Sequence, residues 1–187
     1  MKFEFELDDD DDSFDTQFES VDVEKIREIS SLRERYEKGV AITQDVLIEV
    51  TDVIEAVSKG LSPSPLNPLN MATTLHRIAK NMEKVYMFKS DRLGFSRQRD
   101  MAMLVILGMG SLPHLSAQGI SNIAWALSKI GGETIYWSEM DRIEEFSMTR
   151  MSEFNTQNVS NLAGAFASMQ HAAPGLFTAL AKRAYCM

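Results

Sequence analysis

Residues 115–130, Leu-Ser-Ala-Gln-Gly-Ile-Ser-Asn-Ile-Ala-Trp-Ala-Leu-Ser-Lys-Ile, return at 154–169 as Phe-Asn-Thr-Gln-Asn-Val-Ser-Asn-Leu-Ala-Gly-Ala-Phe-Ala-Ser-Met, a period of 39 residues. Gln118, Ser121, Asn122, Ala124 and Ala126 recur as Gln157, Ser160, Asn161, Ala163 and Ala165, while Ile120, Ile123, Leu127 and Ile130 are answered by Val159, Leu162, Phe166 and Met169. Apolar character kept at helical spacing with a period in this range is the signature of stacked helix pairs, none of which can bury its apolar face alone. The polar matches at the same phase go beyond what burial requires.

A weaker third copy emerges when Leu66 is set against Leu115. Met71 then meets Ile120, Leu75 meets Ala124, Ile78 meets Leu127 and Lys80 meets Lys129, at a spacing of 49 residues. The extra residues fall between Tyr86 and Phe95 and predict a lengthened turn. The array therefore occupies 61–187, with units near 66–112, 115–153 and 154–187. Within it the pattern predicts a helix capped by Ser96 and reaching Met109, another over Ala117–Ile130 stopped by Gly131-Gly132, then helices over Thr134–Glu153, Thr156–Gln170 and Pro174–Ala184. No segment alternates as a strand would. The expected fold class is all-α, a short α-solenoid of antiparallel helix pairs with an extended acidic N-terminal tail.

Residues 22–60 read as a helical leader. Val23, Ile26, Ile29 and Leu32 share one helical face, and Val46, Val50, Val53, Ile54 and Val57 share another, which predicts two helices broken near Gly39. The second is compatible with the back half of a degenerate repeat. Gly60-Leu-Ser-Pro-Ser-Pro-Leu-Asn-Pro68 then forbids helix, because each proline removes a donor and restricts the residue before it.

Charge divides the chain unevenly. Residues 1–60 carry 7 Lys and Arg against 18 Asp and Glu, whereas 61–187 carry 12 against 9, so the acidity belongs to the first third. Between 66 and 112 the balance is 7 basic against 3 acidic, a modest basic patch below the density that identifies a nucleic-acid binder by charge alone. Residues 1–21 form the acidic tail. Asp8, Asp9, Asp10, Asp11 and Asp12 repel one another, and Phe3, Phe5 and Phe14 need an apolar rest, so the tail is expected to lie on a basic protein subunit and to be repelled by an RNA backbone. This start matches neither a transit peptide nor a secretory signal, so targeting was either cut away before this numbering or never present.

The longest apolar run, around Met101–Met109, is too short for a bilayer and is interrupted at Gly108, so no membrane insertion is expected. One cysteine, Cys186, permits neither an intramolecular disulfide framework nor a cysteine zinc cluster. The twelve methionines read as pliable core filling. No phosphate loop, nucleophile elbow or His-Glu metal spacing is present, and His76, His114 and His171 fall in different units. The expectation is a protein that is not an enzyme and carries no cofactor and no metal.

The phrases Gln118-Gly-Ile-Ser-Asn-Ile-Ala-Trp-Ala-Leu-Ser-Lys-Ile130 and Gln157-Asn-Val-Ser-Asn-Leu-Ala-Gly-Ala-Phe-Ala-Ser-Met169, followed by His171–Ala184, resemble octotricopeptide-type repeats and the related heptatricopeptide repeats. The likeness covers roughly 66–185. It implies an organellar α-solenoid that binds RNA, in transcript processing, stability, translation or ribosome assembly. Many such proteins end in a RAP domain, and none is expected within residues 1–187. Trp125 stands where the family has its usual aromatic residue, and Gly164 replaces it in the last unit.

Helical geometry says where RNA would lie. With Ile120, Ile123, Leu127 and Ile130 packed inward, positions 118, 119, 122, 126 and 129 turn the other way. That surface presents Gln118, Asn122 and Lys129, then Gln157, Asn158 and Asn161, then Asn70, Thr73, Arg77 and Lys80. Amides can bond base edges and cations can hold phosphate, a division suited to single-stranded RNA. Asn122 and Asn161 could equally bond neighbouring backbone and stabilise the turn between repeats. Two functions are thus expected: a structural RNA-binding component contacting rRNA or a transcript in a mitochondrial ribosome or other organellar ribonucleoprotein, with the plastid as the alternative compartment, or a protein-binding scaffold subunit of another organellar complex.

Overall fold

The computed structural model describes residues 23–58 and 67–187, so the expectations placed on the acidic tail and on 59–66 lie outside the described residues. Among those residues the regular structure is all helical: α1 (Val23–Ser58), α2 (Pro68–Lys84), α3 (Lys89–Ser96), α4 (Arg99–Gly110), α5 (Ala117–Ile130), α6 (Trp137–Thr149), α7 (Thr156–Ser168) and α8 (Pro174–Tyr185). Short 3-10 turns occupy Leu112–His114, Gly132–Thr134 and Met151–Glu153. The chain divides into a first unit ending at Glu34 and a larger one, Arg35–Met187, which holds the core.

The repeat is written into helix ends as well as helix faces. Asn67, Ser116 and Asn155 stand at one repeat position, and each caps the helix that follows by accepting the amide three residues on, from Asn70 at 2.8 Å, Gly119 at 3.3 Å and Asn158 at 2.9 Å. Each cap satisfies a donor that the first helical turn leaves unpaired. At the other end of α2, α5 and α7 the chain reverses through a left-handed residue, Tyr86 at φ 52°, Gly132 at φ 54° and Gln170 at φ 52°. After α2 and α7 the following amide folds back to close the last turn, Met87 N to Met82 O at 2.9 Å and His171 N to Phe166 O at 3.0 Å.

α5 is the centre of the packing. Ten of its 14 residues are buried, among them Ile120, Ile123, Leu127 and Ile130, because it packs against both α2 and α7, which make no comparable contact with each other. Each of the three also packs on a helix that follows it: α2 on α4, α5 on α6, α7 on α8. Two arginines tie these layers at equivalent points. Arg150 donates to the carbonyl of Leu115, and Arg183 Nε donates to that of Phe154 at 2.7 Å; both acceptors immediately precede an N-cap.

The helix over Ala117–Ile130 lies where the sequence places it, and four other expectations are corrected. Residues 23–58 form one helix, not two broken near Gly39. Gly39 lies inside that helix at a close approach, where a β-carbon would sit 1.8 Å from Val85 Cγ1 at the end of α2. Tyr86–Phe95 is no simple lengthened turn, since Lys89–Ser96 is helical. Ser96 ends that helix, its hydroxyl returned to the Leu93 carbonyl at 2.9 Å, and α4 starts after Gln98. The helix expected over Thr134–Glu153 is confined to Trp137–Thr149, flanked by 3-10 turns, because left-handed Tyr136 precedes its first residue.

Candidate nucleic-acid interface

Three equivalent stripes can be followed at the i, i+4, i+7, i+11 spacing that keeps residues on one helical face. They run through Leu69, Thr73, His76 and Lys80 on α2, through Gln118, Asn122, Trp125 and Lys129 on α5, and through Gln157, Asn161, Gly164 and Ser168 on α7. All twelve are exposed or half-buried, although α5 is otherwise enclosed. Asn70 and Arg77 flank the α2 stripe and are exposed.

The amides cluster in the first half of α5 and α7. Gln157 Nε2 donates to Asn161 Oδ1 at 2.7 Å along one helix face, so these two present a joined pair of amides and neither caps a turn. Asn122 stands at the equivalent place on α5 and is half-buried. Asn158, expected beside them, turns inward and is 3 % exposed. Its Oδ1 accepts the Asn155 amide at 3.2 Å, completing a reciprocal cap, and its Nδ2 donates to the buried Ser121 hydroxyl at 3.2 Å. Position 119, the equivalent in α5, is a buried glycine, and Ala126 is buried too, so neither faces outward as expected. A helix enclosed by α2, α6 and α7 leaves room for only a narrow exposed stripe.

Half-way along, His76 and Trp125 meet with ring centroids 4.7 Å apart. Burial, reinforced by the Lys80 charge, holds the His76 imidazole below its usual range against a weaker opposing pull from Glu83, so the ring is neutral at pH 7. Lys129 Nζ lies 5.6 Å from the Trp125 ring centre, within cation–π range, and forms an ion pair with Glu83 Oε1 at 2.9 Å. Its charge is therefore partly answered, while Arg77 and Lys80 remain exposed on α2.

Beyond Lys129 the surface sinks into a cleft of about 280 Å³ whose polar lining includes Lys89, Arg92, Lys129, Glu133 and Ser168. Arg92 Nη1 donates to the Lys129 carbonyl at 3.1 Å, which pins α3 to the C-terminal end of α5. Lys89 and Arg92 stand in the basic segment of the sequence, yet nothing there places them against Lys129, because the pattern predicts a turn where α3 lies. His76 is legible in principle, since the 49-residue offset sets it opposite Trp125. The tail residues Phe3, Phe5, Asp8–Asp12 and Phe14, expected to meet a basic protein, lie outside the described residues. Among the described residues no group of three His, Cys, Asp or Glu side chains is placed to hold a metal ion, and no helix is long and apolar enough to cross a membrane.

The chain is similar to a RAP domain-containing protein, chloroplastic, of Oryza sativa subsp. japonica, with 61 % identity over 140 residues, which is 75 % of this chain and 22 % of that relative. This chain thus spans less than a quarter of its homologue. No protein-family model matches the chain. No solved structure matches it either.

Proposed function

We propose that this chain is a non-catalytic RNA-binding segment of an organellar protein, in which three helix pairs stack as a short solenoid and present the α2, α5 and α7 stripes to single-stranded RNA. The observation that carries the reading is the order of chemistry along those stripes: amides Gln118, Asn122, Gln157 and Asn161 first, then the His76–Trp125 rings, then the cations Lys80 and Lys129, with Arg92 and Lys89 of α3 beside Lys129 in the cleft. Base edges, base faces and phosphates each need one of these three. Asn70, Thr73 and Arg77 extend the surface on α2, and Asn158 acts structurally. The resemblance to octotricopeptide-type repeats supports RNA as the ligand, and the RAP domain in the homologue's name agrees with a family in which that domain is common. The homologue's chloroplastic label favours the plastid over the mitochondrion expected from the sequence.

Ultraviolet crosslinking and sequencing of RNA bound to the protein in isolated chloroplasts tests the reading, with a variant neutralised at Arg77, Lys80 and Lys129 as control. Enrichment of a particular rRNA or transcript that disappears in the control supports it. Background crosslinking together with stable co-purification of proteins would instead identify a scaffold.

A further inference from the structure

The stripes carry a ring in two units and none in the third. His76, Trp125 and Gly164 occupy one repeat position on α2, α5 and α7. The first two meet with ring centroids 4.7 Å apart and planes tilted by 38°. Trp125 meets His76 of α2, and Lys129 of its own helix lies 5.6 Å from the ring centre while paired with Glu83 of α2 at 2.9 Å. On the α7 side stands Gly164, and a β-carbon there would meet nothing within 4 Å. Where the repeat would set a third ring, the chain leaves space.

One turn further along both helices, about 5.4 Å, Trp125 gives way to Lys129 and Gly164 to Ser168. Both line the cleft that also holds Lys89 and Arg92. Three cations face one carboxylate there, Glu133, with Glu83 engaging Lys129 from outside. An indole on α5 and an open position on α7, which packs against α5, each one turn from a cationic cleft, suit a base joined to its own phosphate.

We propose that Gly164 opens a stacking slot on Trp125 for one unpaired RNA base, whose phosphate lies in the cleft at Lys89, Arg92 and Lys129. The glycine is the determinant: a third ring in the row would fill the slot, and its absence makes α5–α7 the nucleotide-accepting joint while α2–α5 is closed by His76. Stacking on an aromatic side chain is tolerant of base identity, so this slot contributes affinity and register, and the amides of Gln118, Asn122, Gln157 and Asn161 supply preference. The inference rests on the RNA-binding reading above.

The test is equilibrium binding of the full chain to a fluorescein-labelled single-stranded RNA pool of randomised sequence, comparing wild type with Gly164→Phe, Gly164→Ala, Trp125→Leu and Trp125→Phe, each checked for helical circular dichroism. Gly164→Phe and Trp125→Leu are expected to weaken binding about tenfold or more, Gly164→Ala and Trp125→Phe by no more than about threefold. Should Gly164→Phe fail to fold, the contrast between Trp125→Leu and Trp125→Phe carries the test. Wild-type binding that Gly164→Phe and Trp125→Leu leave unchanged overturns the slot while the RNA-binding reading stands. No binding by the wild-type chain overturns both.

Discussion

Replacing Gly39 by alanine distinguishes a glycine that permits close packing from one that merely interrupts a helix. In an exposed helix interior the change stabilises by about 1 kcal/mol through propensity alone. Here the new β-carbon lands 1.8 Å from Val85 Cγ1 and 2.7 Å from Val85 Cβ, against the ~3.5–4.0 Å of an ordinary carbon contact. Val85 cannot swing aside, because its β-carbon is itself too near and is fixed to the end of α2. The helices must part by nearly 2 Å, which places the cost at the upper end of the ~1–3 kcal/mol typical of overpacking. Net destabilisation of about 1–2 kcal/mol follows, or a fall in Tm of roughly 2–8 °C for a chain of this size. Denaturation followed by circular dichroism measures it. A double-mutant cycle with Val85→Gly should return Gly39→Ala to neutral or stabilising, since the clash has one partner. If Gly39→Ala stabilises the unmodified chain, the close approach of α1 and α2 is refuted.

Three further outcomes follow from the geometry. Asn158→Ala removes two side-chain hydrogen bonds, one of them half of a reciprocal cap, so it should lower stability by about 1–3 kcal/mol in urea denaturation, whereas Gln157→Ala, on the exposed face, should change it by less than ~0.5 kcal/mol. Tyr86 holds a left-handed conformation with its side chain 86 % exposed; Tyr86→Gly relieves that strain at little packing loss and should stabilise by about 0.5–1 kcal/mol, while a destabilised variant would show that the tyrosine ring is packed. His76 has a lowered pKa, so the unfolded chain binds more protons, and the stability it contributes is full above the ordinary value of 6.5 and is lost as pH falls below it. Urea midpoints between pH 7.5 and 5 should therefore fall less steeply in His76→Phe than in the wild type; identical slopes would contradict the half-buried, neutral imidazole.

How much of the fold is legible in the sequence depends on whether local chemistry and tertiary contact agree. α5 is legible to the residue because Ser116 and Gly131-Gly132 bracket an unbroken apolar period. α7 and α8 are legible within two residues for the same reason. The sequence misleads at α1 because a glycine's two uses, breaking a helix and admitting a neighbour, look alike until the neighbour is known. It is silent on α3 because eight residues containing Gly94 offer too little periodicity, and the start of that helix depends on the left-handed turn at Tyr86. On α5, phase places Gln118, Asn122 and Lys129 outward as observed, but it also places 119 and 126 there, and both are buried. Asn158 is not legible from phase, because its side chain is recruited by the Asn155 cap and by Ser121 on another helix. Nor is the partial neutralisation of Lys129, since Glu83 reaches it at a spacing the repeat does not contain.

The central claim, that this face holds RNA through amides, a ring and cations together, is tested most directly by the salt dependence of RNA affinity. Binding of the chain to single-stranded RNA would be measured across a range of salt concentrations, for wild type and for a variant carrying Arg77→Gln, Lys80→Gln and Lys129→Gln. The account predicts that log affinity falls linearly with log salt, and that the slope shrinks by about 2 in the variant, roughly 0.7 for each phosphate that is no longer neutralised. RNA affinity that is absent, or whose salt slope is the same in both proteins, would contradict it.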